Sequence, residues 1–299
     1  MNIKKSLILA GLLSVAMTTS YSTFADEMAA PAAEAAAAAA EPAPPYTLTF
    51  NLGVYSKYMF RGVDVNGTPA VQGGIDFGHS SGFYAGTWWS NLNPYSYGES
   101  DFVAGSEGNH LETDWYVGYA HTFDNGFGVN FLANTYFYPE GHTIAGTSRK
   151  IDTAELSAAF TFKWLTYTYF YIPTDYYGAK TSAGGDTDGA DYHEIKVNYK
   201  LPFGDLNFMA KVGYQSTGDL GAGGTVNGHY DGGQGDYAIG INRDFSLPGA
   251  GGKSIDGFNA GLQFTDTFSV KDETYYVDAT NGARDTNKAQ LWAYIKRTW

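Results

Sequence analysis

A repeated alternation of apolar and polar residues is the feature that most constrains the fold of this chain. From Tyr46 to the C-terminus it predicts about twelve strands of about ten residues, the length that a tilted strand needs to cross a bilayer. In the first strand, every second residue from Leu48 to Val54 is apolar, and the residues between them are polar or glycine. A period of two places one kind of side chain on each face of a strand, so these segments have one apolar and one polar face. The seventh, Leu165–Ile172, has aromatic residues on both phases, and the alternation does not assign its faces.

The connectors between these segments alternate between short and long. Short ones at 80–82 (Ser-Ser-Gly) and 124–126 (Asp-Asn-Gly) carry turn residues that tolerate positive φ. The long ones cover residues 62–69, 93–110, 139–150, 173–191, 216–235 and 269–287. Short turns at one end and long loops at the other are typical of membrane barrels. The predicted fold class is all-β, a transmembrane antiparallel up-and-down β-barrel of about 12 strands, with both termini at the short-turn end.

Aromatic residues concentrate near the predicted strand ends, where a barrel in a bilayer carries interfacial girdles. On the short-turn side they are Phe77, Phe83, Phe123, Phe127, Phe162, Trp164, Phe203, Phe245, Phe258 and Trp299. On the long-loop side they are Tyr58, Phe60, Trp88, Trp89, Trp115, Tyr136, Phe137, Tyr138, Tyr169, Tyr171, Tyr192 and Tyr214. A soluble β-sandwich with an aromatic core is the alternative, but it explains neither the loop asymmetry nor the terminal Trp299.

The N-terminal residues predict export. Residues 1–25 have the charged start, short apolar stretch and small-residue cleavage site of a signal peptide, and residues 26–45 form an Ala/Pro-rich segment that we interpret as a periplasmic tether. The barrel would occupy residues 46–299 and end in a strand that closes on Trp299. We therefore expect a Gram-negative outer-membrane protein with periplasmic termini. Its expected partners are membrane lipid, lipopolysaccharide and the barrel-assembly machinery, which would engage the C-terminal strand.

Composition excludes several classes of function. The chain has no cysteine, which excludes a disulfide framework and a thiol nucleophile. Its formal net charge of −13, without a basic stripe, argues against a nucleic-acid partner. We assign the acidic excess mainly to the long loops. An acidic mouth raises the local cation concentration and predicts a mild cation preference at low salt.

The segment Gly53–Gly62 (GVYSKYMFRG), followed by Pro-Ala-Val-Gln-Gly-Gly at 69–74, resembles the opening of the TorF-family porins. The resemblance extends over residues 46–299 and implies an outer-membrane barrel with a pore, without naming a substrate. Arg297 departs from the usual terminal strand, which has an apolar or aromatic residue at that place. If Trp299 faces lipid, Arg297 does too, and at the rim its guanidinium can snorkel into water.

We predict that one phase of each strand turns its charged residues toward the lumen. The resulting pore-lining candidates are Lys57, Arg61, Asp76, Glu112, Asp114, Glu155, Glu194, Lys196, Lys200, Lys211 and Asp236. At the top of the first strand, continued alternation predicts Ser56, Tyr58 and Phe60 outside and Lys57, Met59 and Arg61 inside. Arg61 would then either place positive charge in the lumen or pin the first loop through an ion pair with Asp64.

The predicted function is a porin-like channel for passive diffusion of small polar solutes or ions. It is not an enzyme and needs no cofactor or metal: the acidic run at 184–191 lacks the spacing of a calcium loop, and the histidines form no zinc motif. Two alternatives remain open. One is a non-conducting structural or adhesion barrel. The other is an outer-membrane hydrolase, with His110, Asp101 and Asp114 as the first residues to consider.

Overall fold

A computed structural model describes residues 44–92, 110–139, 151–178, 184–221, 229–231, 233–271, 277–278 and 284–299. The predicted signal peptide at 1–25 and most of the predicted tether at 26–45 lie outside the described residues. So do several loop acids, including Glu99, Asp101, Glu107, Glu140, Asp272 and Glu273.

Twelve antiparallel strands form a closed barrel in which each strand pairs with the next one along the chain. They are β1 (Tyr46–Tyr55), β4 (Ala70–His79), β5 (Phe83–Asn91), β6 (Leu111–Thr122), β7 (Phe127–Phe137), β8 (Thr153–Phe162), β9 (Leu165–Ile172), β10 (Ala190–Lys200), β11 (Leu206–Ser216), β14 (Gln234–Pro248), β15 (Ser254–Phe268) and β18 (Gln290–Thr298). This confirms the predicted fold class.

Three short hairpins lie in the connections between barrel strands. They are β2 (Met59–Phe60) with β3 (Val63–Asp64), β12 (Asp219–Gly221) with β13 (His229–Asp231), and β16 (Val277–Asp278) with β17 (Arg284–Asp285). Single 3-10 turns occupy Tyr176–Gly178 and Ala250–Gly252. Among the described residues, no helix combines the length and the apolarity needed to cross a membrane.

The first and last strands close the barrel. β1 pairs with β4 on one side and with β18 on the other. The backbones of Phe50 and Trp299 exchange hydrogen bonds at 2.8 and 2.9 Å. The start of β1 and the end of β18 therefore lie at the same end as the short β4–β5 turn, since Tyr46 is paired with His79. The long connections lie at the other end, as predicted.

The outer wall is apolar. Leu48, Phe50, Leu52 and Val54 of β1 are each 42–54% exposed, and the same phase continues around the barrel with residues such as Ile239. Exposed aromatic residues follow the short-turn rim: Phe77, Phe83, Phe123, Phe162, Trp164, Phe203 and Trp299. An apolar surface that encircles a barrel is unstable in water and suited to lipid.

Arg297 lies on the outward phase of β18 with Leu291 and Ile295, as predicted. Its guanidinium lies over the rings of Phe258 and Trp299, with centroids at 5.2 and 5.1 Å, and its Nε donates to the carbonyl of Asp256. These contacts place the charge at the rim beside aromatic faces, where the cost of an outward arginine is small.

The predicted aromatic girdle on the long-loop side is wrong for about half of its members. Tyr58, Phe60, Trp88, Tyr136, Tyr138 and Tyr192 are buried in the interior, at 0–7% exposure. Trp115 and Phe137 do face outward. Tyrosine hydroxyls inside the barrel reach polar partners, for example from Tyr84 to Asn130 at 2.7 Å. Phenol rings whose hydroxyls meet polar partners, those of Tyr84, Tyr116, Tyr136 and Tyr192, therefore occupy part of the interior.

Glycine makes room for these rings. The ring of Tyr84 on β5 lies directly over Gly118 on β6, and the ring of Tyr116 on β6 lies over Gly86 on β5. A Cβ atom at either glycine would overlap the neighbouring ring. At Gly86 and Gly118, glycine thus has a packing role, in which an inward position without a side chain accepts a ring from the neighbouring strand.

Candidate functional site

The first loop enters the barrel instead of standing above it. After Tyr55 the chain leaves the wall and forms the β2–β3 hairpin, with Arg61 and Gly62 at its tip. Both tip residues have positive φ, 44° and 84°, which is the mirror-image two-residue turn that suits tight hairpins. A left-handed arginine is uncommon, and such strain persists only where other contacts hold it. We call residues 58–66 the plug hairpin.

The plug hairpin crosses the lumen, and Arg61 at its tip contacts the opposite wall. Its guanidinium donates to Glu155 Oε2 on β8 at 2.6 Å and to Gln215 Oε1 on β11 at 2.7 Å. It also lies over the rings of Phe170 and Tyr192, at 5.0 and 4.4 Å from their centroids. Because β9 is half a turn around the barrel from β1, the hairpin tip reaches the opposite wall.

The buried charge of Arg61 is compensated. Burial is the largest single effect and lowers the pKa of Arg61, but the electrostatic effects of Glu155 and of the neighbouring tyrosines Tyr136, Tyr177 and Tyr176 together outweigh it and raise the pKa above its ordinary value. The carbonyl of Arg61 accepts a hydrogen bond from Gln234 Nε2 at 3.0 Å. A fully charged arginine with a charged partner and a paired backbone is a stable anchor for the hairpin.

The rest of the plug hairpin is fixed by aromatic and carboxylate contacts. Tyr58 donates its hydroxyl to Glu112 Oε1 at 3.1 Å and packs on Trp88, with ring centroids 5.6 Å apart. Phe60 packs edge-on against Tyr136 and Tyr177. Tyr58 and Asn66 are 0% exposed, and Arg61 is 3% exposed. The hairpin is therefore part of the packed interior.

Two sequence predictions about this segment are wrong. Tyr58 and Phe60 do not face outward: Tyr58, Met59, Phe60 and Arg61 are all buried, because the strand alternation ends at Tyr55. The ion pair proposed between Arg61 and Asp64 is replaced by two others. Arg61 pairs with Glu155, and Asp64 pairs with Lys57 at 2.9 Å.

Four of the six predicted inward carboxylates line one arc of the barrel wall, from β4 to β8. Asp76 accepts the hydroxyl of Tyr116, and Asp114 accepts from Asn134 Nδ2 at 3.2 Å. Glu155 accepts from Tyr136 at 2.9 Å in addition to Arg61. With Glu112, these carboxylates form an acidic arc whose members are 0–8% exposed.

A second charged group lies on β10, β11 and β14. Lys211 Nζ is 3.4 Å from Glu194 Oε2 and 3.3 Å from Asp236 Oδ2, so that one cation bridges two carboxylates. Asp236 also accepts the hydroxyl of Tyr192 at 2.7 Å. These three predicted residues are brought together on the inner wall, beside the tip of the plug hairpin.

The remaining predicted lysines differ in burial. Lys196 is 2% exposed and inward, whereas Lys200, on the same phase of β10, is exposed at the short-turn rim, 3.8 Å from Asp205. Lys57 is 26% exposed and lies at the base of the plug hairpin. All the predicted residues except Lys200 thus lie in the interior.

Several neutral residues of the interior are absent from the predicted pore lining. Gln215 and Gln234 bind the hairpin tip, and Trp292 donates to Thr265 at 3.0 Å. Gln215 and Trp292 lie on the inward phase of their predicted strands, so the alternation could have identified them had neutral side chains been considered with the charged ones. Gln234 falls in the predicted loop at 216–235, because β14 begins earlier than predicted.

The other chemical sites considered do not assemble in the described part of the chain. No group of three metal-ligating residues occurs there. In the acidic run at 184–191, Thr187 is tied to Asp175 and Tyr176 through hydrogen bonds of 2.9 Å. For the hydrolase alternative, Asp114 is buried beside Asn134, His110 is exposed, and Asp101 lies outside the described residues.

Comparison with solved structures finds other barrels at low similarity. The NanC porin has 12% sequence identity and a TM-score of 0.45, with 84% of this chain and 98% of that chain covered. The KdgM porin has 6% identity and a TM-score of 0.43, with 84% and 99% covered. An outer membrane channel from Pseudomonas putida F1 has 10% identity and a TM-score of 0.44, with 87% and 100% covered. At these scores the likenesses carry no argument about function.

No curated protein matches the chain. A family model does, over residues 39–299, and its description is "Bacterial protein of unknown function (Gcw_chp)". The match includes the whole barrel and the plug hairpin. This chain therefore belongs to the Gcw_chp family of bacterial proteins.

Proposed function

We propose that this protein is an outer-membrane channel for the passive diffusion of small polar solutes or ions, with the plug hairpin as its constriction. The observation that carries the proposal is the contrast between the two faces of one closed wall. Outward residues such as Leu52 and Ile239 are apolar and exposed, while inward residues such as Glu112 and Lys196 are charged. A barrel with this contrast suits lipid outside and a polar lumen inside.

The width of the lumen agrees with small solutes. A barrel of twelve strands is wider than the eight-stranded barrels that side chains fill, and narrower than the porins of 16–18 strands. The plug hairpin narrows it further. We infer that the lipid-facing wall lies in the Gram-negative outer membrane, as the resemblance to TorF-family porins also implies, and that both termini face the periplasm.

The rival function is a structural barrel that does not conduct. It is favoured by the packing of the plug hairpin, in which Tyr58 and Asn66 have no exposed surface and Arg61 is held on the far wall. The two functions differ in whether this hairpin leaves a continuous polar path. Conductance distinguishes them directly.

Single-channel recording in planar bilayers is the test. We expect small, discrete conductance steps from the refolded protein. We expect larger steps from Arg61→Ala, because the hairpin tip loses its hold on Glu155 and Gln215. Reversal potentials in a salt gradient should show a mild cation preference at low salt in the parent protein. Arg243→Ala, at an exposed rim position, is the matched control and should match the parent.

The outcomes separate the proposals. Silence of both the parent and Arg61→Ala would favour the structural barrel. Conductance with the same step size and selectivity in Arg61→Ala would remove the constriction role of Arg61 but keep the channel. Anion selectivity in the parent would contradict the proposed effect of the acidic mouth.

A further inference from the structure

A cleft of about 450 Å³ opens on the outer wall at the long-loop end of the barrel. Two of its lining residues, Thr135 on β7 and Ala154 on β8, are small outward residues that are paired across the two strands. Trp115 on β6 is paired with Thr135, and Phe137 follows two residues along β7; their side chains are 59% and 39% exposed. Small residues beside large ones leave a recess, and its volume lies within the range of roughly 300–1,000 Å³ that ligand pockets occupy.

The threonine hydroxyls that line this cleft are bound within the protein. Thr135 donates to the carbonyl of Trp115 at 3.2 Å, and Thr153 donates to a backbone carbonyl at 3.1 Å. Thr174 Oγ1 accepts from the backbone amide of Ala154 at 3.1 Å. Because these hydroxyls are engaged, the cleft offers little to a polar ligand and suits a hydrocarbon chain.

A carboxylate lies at the same cleft. Asp152 is the charged residue among its lining residues in the described chain, and it is half-buried. Its Oδ1 accepts from the backbone amide of Tyr138 at 3.0 Å. Its second oxygen makes no hydrogen bond or ion pair with the residues that the structure describes, so it can accept a hydrogen bond from a hydroxyl or amide group of a ligand.

We propose that this cleft binds an acyl chain of lipopolysaccharide. The inference rests on the proposed placement of the barrel in the outer membrane, because the outer wall is then surrounded by lipid and its long-loop end lies in the outer leaflet. The acylated sugar of lipopolysaccharide carries hydroxyl and amide donors close to its acyl chains, and a chain in the cleft would bring these donors toward Asp152. The ester groups of a phospholipid are acceptors only and would leave that carboxylate without a partner.

Native mass spectrometry of the delipidated full-length protein in detergent tests the site, with deep-rough lipopolysaccharide and phosphatidylethanolamine as separate probes. We expect one lipopolysaccharide to be retained per barrel. Ala154→Phe fills the cleft and should weaken this binding about tenfold, the effect of losing roughly two buried methylene groups. Thr135→Leu fills the cleft from β7 and should act in the same direction, which keeps the test valid if Ala154→Phe does not fold.

Ala158→Phe is the matched control. It adds the same ring to the outward face of β8, four residues from Ala154 and outside the cleft, and it should bind lipopolysaccharide as the parent does. Absence of a retained lipopolysaccharide overturns the site, as do equal binding by the parent and by the variants that fill the cleft, an equal loss in Ala158→Phe, and tighter retention of phosphatidylethanolamine. A dimer of barrels that Ala154→Phe disrupts would assign the cleft to a second copy and also overturn the proposal.

Conductance in planar phospholipid bilayers, recorded on the same preparation, keeps this proposal apart from the proposed function. A conducting protein that retains no lipopolysaccharide keeps the channel and loses only this site. A silent protein that retains lipopolysaccharide in the parent and loses it in Ala154→Phe keeps the site and loses the channel.

Discussion

The plug hairpin divides the interior into two unlike regions. Toward the acidic arc, its tip and aromatic residues meet carboxylates, as Arg61 meets Glu155 and Tyr58 meets Glu112, and the lumen is filled. At its base, Lys57 pairs with Asp64 and lines a cavity of about 80 Å³, so that space remains. A buried charge at the tip needs a close partner of opposite sign, which holds the tip against one wall, whereas the base leaves part of the interior unfilled.

Breaking the ion pair between Arg61 and Glu155 should have the largest effect on the stability of the barrel. Arg61→Ala leaves the carboxylate of Glu155 buried without its cationic partner, which we expect to lower the free energy of unfolding by about 3–5 kcal/mol. Urea unfolding of the refolded protein in lipid vesicles, followed by tryptophan fluorescence, measures this. The double variant Arg61→Met/Glu155→Leu should lose much less, because both charges are removed together.

If the single and the double variants were equally destabilised, the loss would come from the hairpin's packing and not from the uncompensated charge. If Arg61→Ala unfolded like the parent, the tip would not anchor the loop, and the proposed contrast between a filled and an open region would fail.

The sequence predicts the barrel well because the evidence for it is local. Each strand carries its own alternation, and the turns carry their own glycines, so the twelve strands and the inward phase of residues such as Glu155 and Lys211 follow from short windows. Closure also follows, because nearly all of the predicted strands have one apolar face and an open sheet would leave its edges unpaired in lipid.

The plug hairpin is harder to predict because its partners are distant in the chain. Glu155 is 94 residues from Arg61, and Gln215 is 154 residues away. Extending the strand alternation past Tyr55 turned Tyr58 and Phe60 to the wrong side. A local signal does exist, since Arg-Gly between the apolar pair Met59-Phe60 and Val63 fits a two-residue hairpin, although Asn-Gly is the commoner choice.

A loss of stability between these extremes should follow from disturbing the packing of tyrosine over glycine beside the acidic arc. Gly118→Ala places a methyl group against the ring of Tyr84 and the wall behind it, and we expect a loss of about 1–3 kcal/mol from overpacking. Urea unfolding in vesicles measures it. In a Tyr84→Leu background the added methyl group should cost less, and the difference is read as a double-mutant cycle. An unchanged cost in that background would show that the strain lies in the backbone contact and not in the ring.

The smallest effect should come from the short-turn rim. Arg243 lies 3.9 Å from Asp205, and the two side chains are 57% and 76% exposed. Water solvates both charges when the pair is broken, so Arg243→Ala should cost about 0–1 kcal/mol, against the several expected for Arg61→Ala. Both variants remove an arginine that pairs with a carboxylate, so the difference between their free energies of unfolding, measured by the same urea titration, reports mainly on burial. If Arg243→Ala lowered the free energy of unfolding as much as Arg61→Ala does, removal of an arginine would destabilise this barrel wherever it occurs. Burial of the Arg61–Glu155 pair could then no longer explain why the plug hairpin stays packed against one side of the lumen.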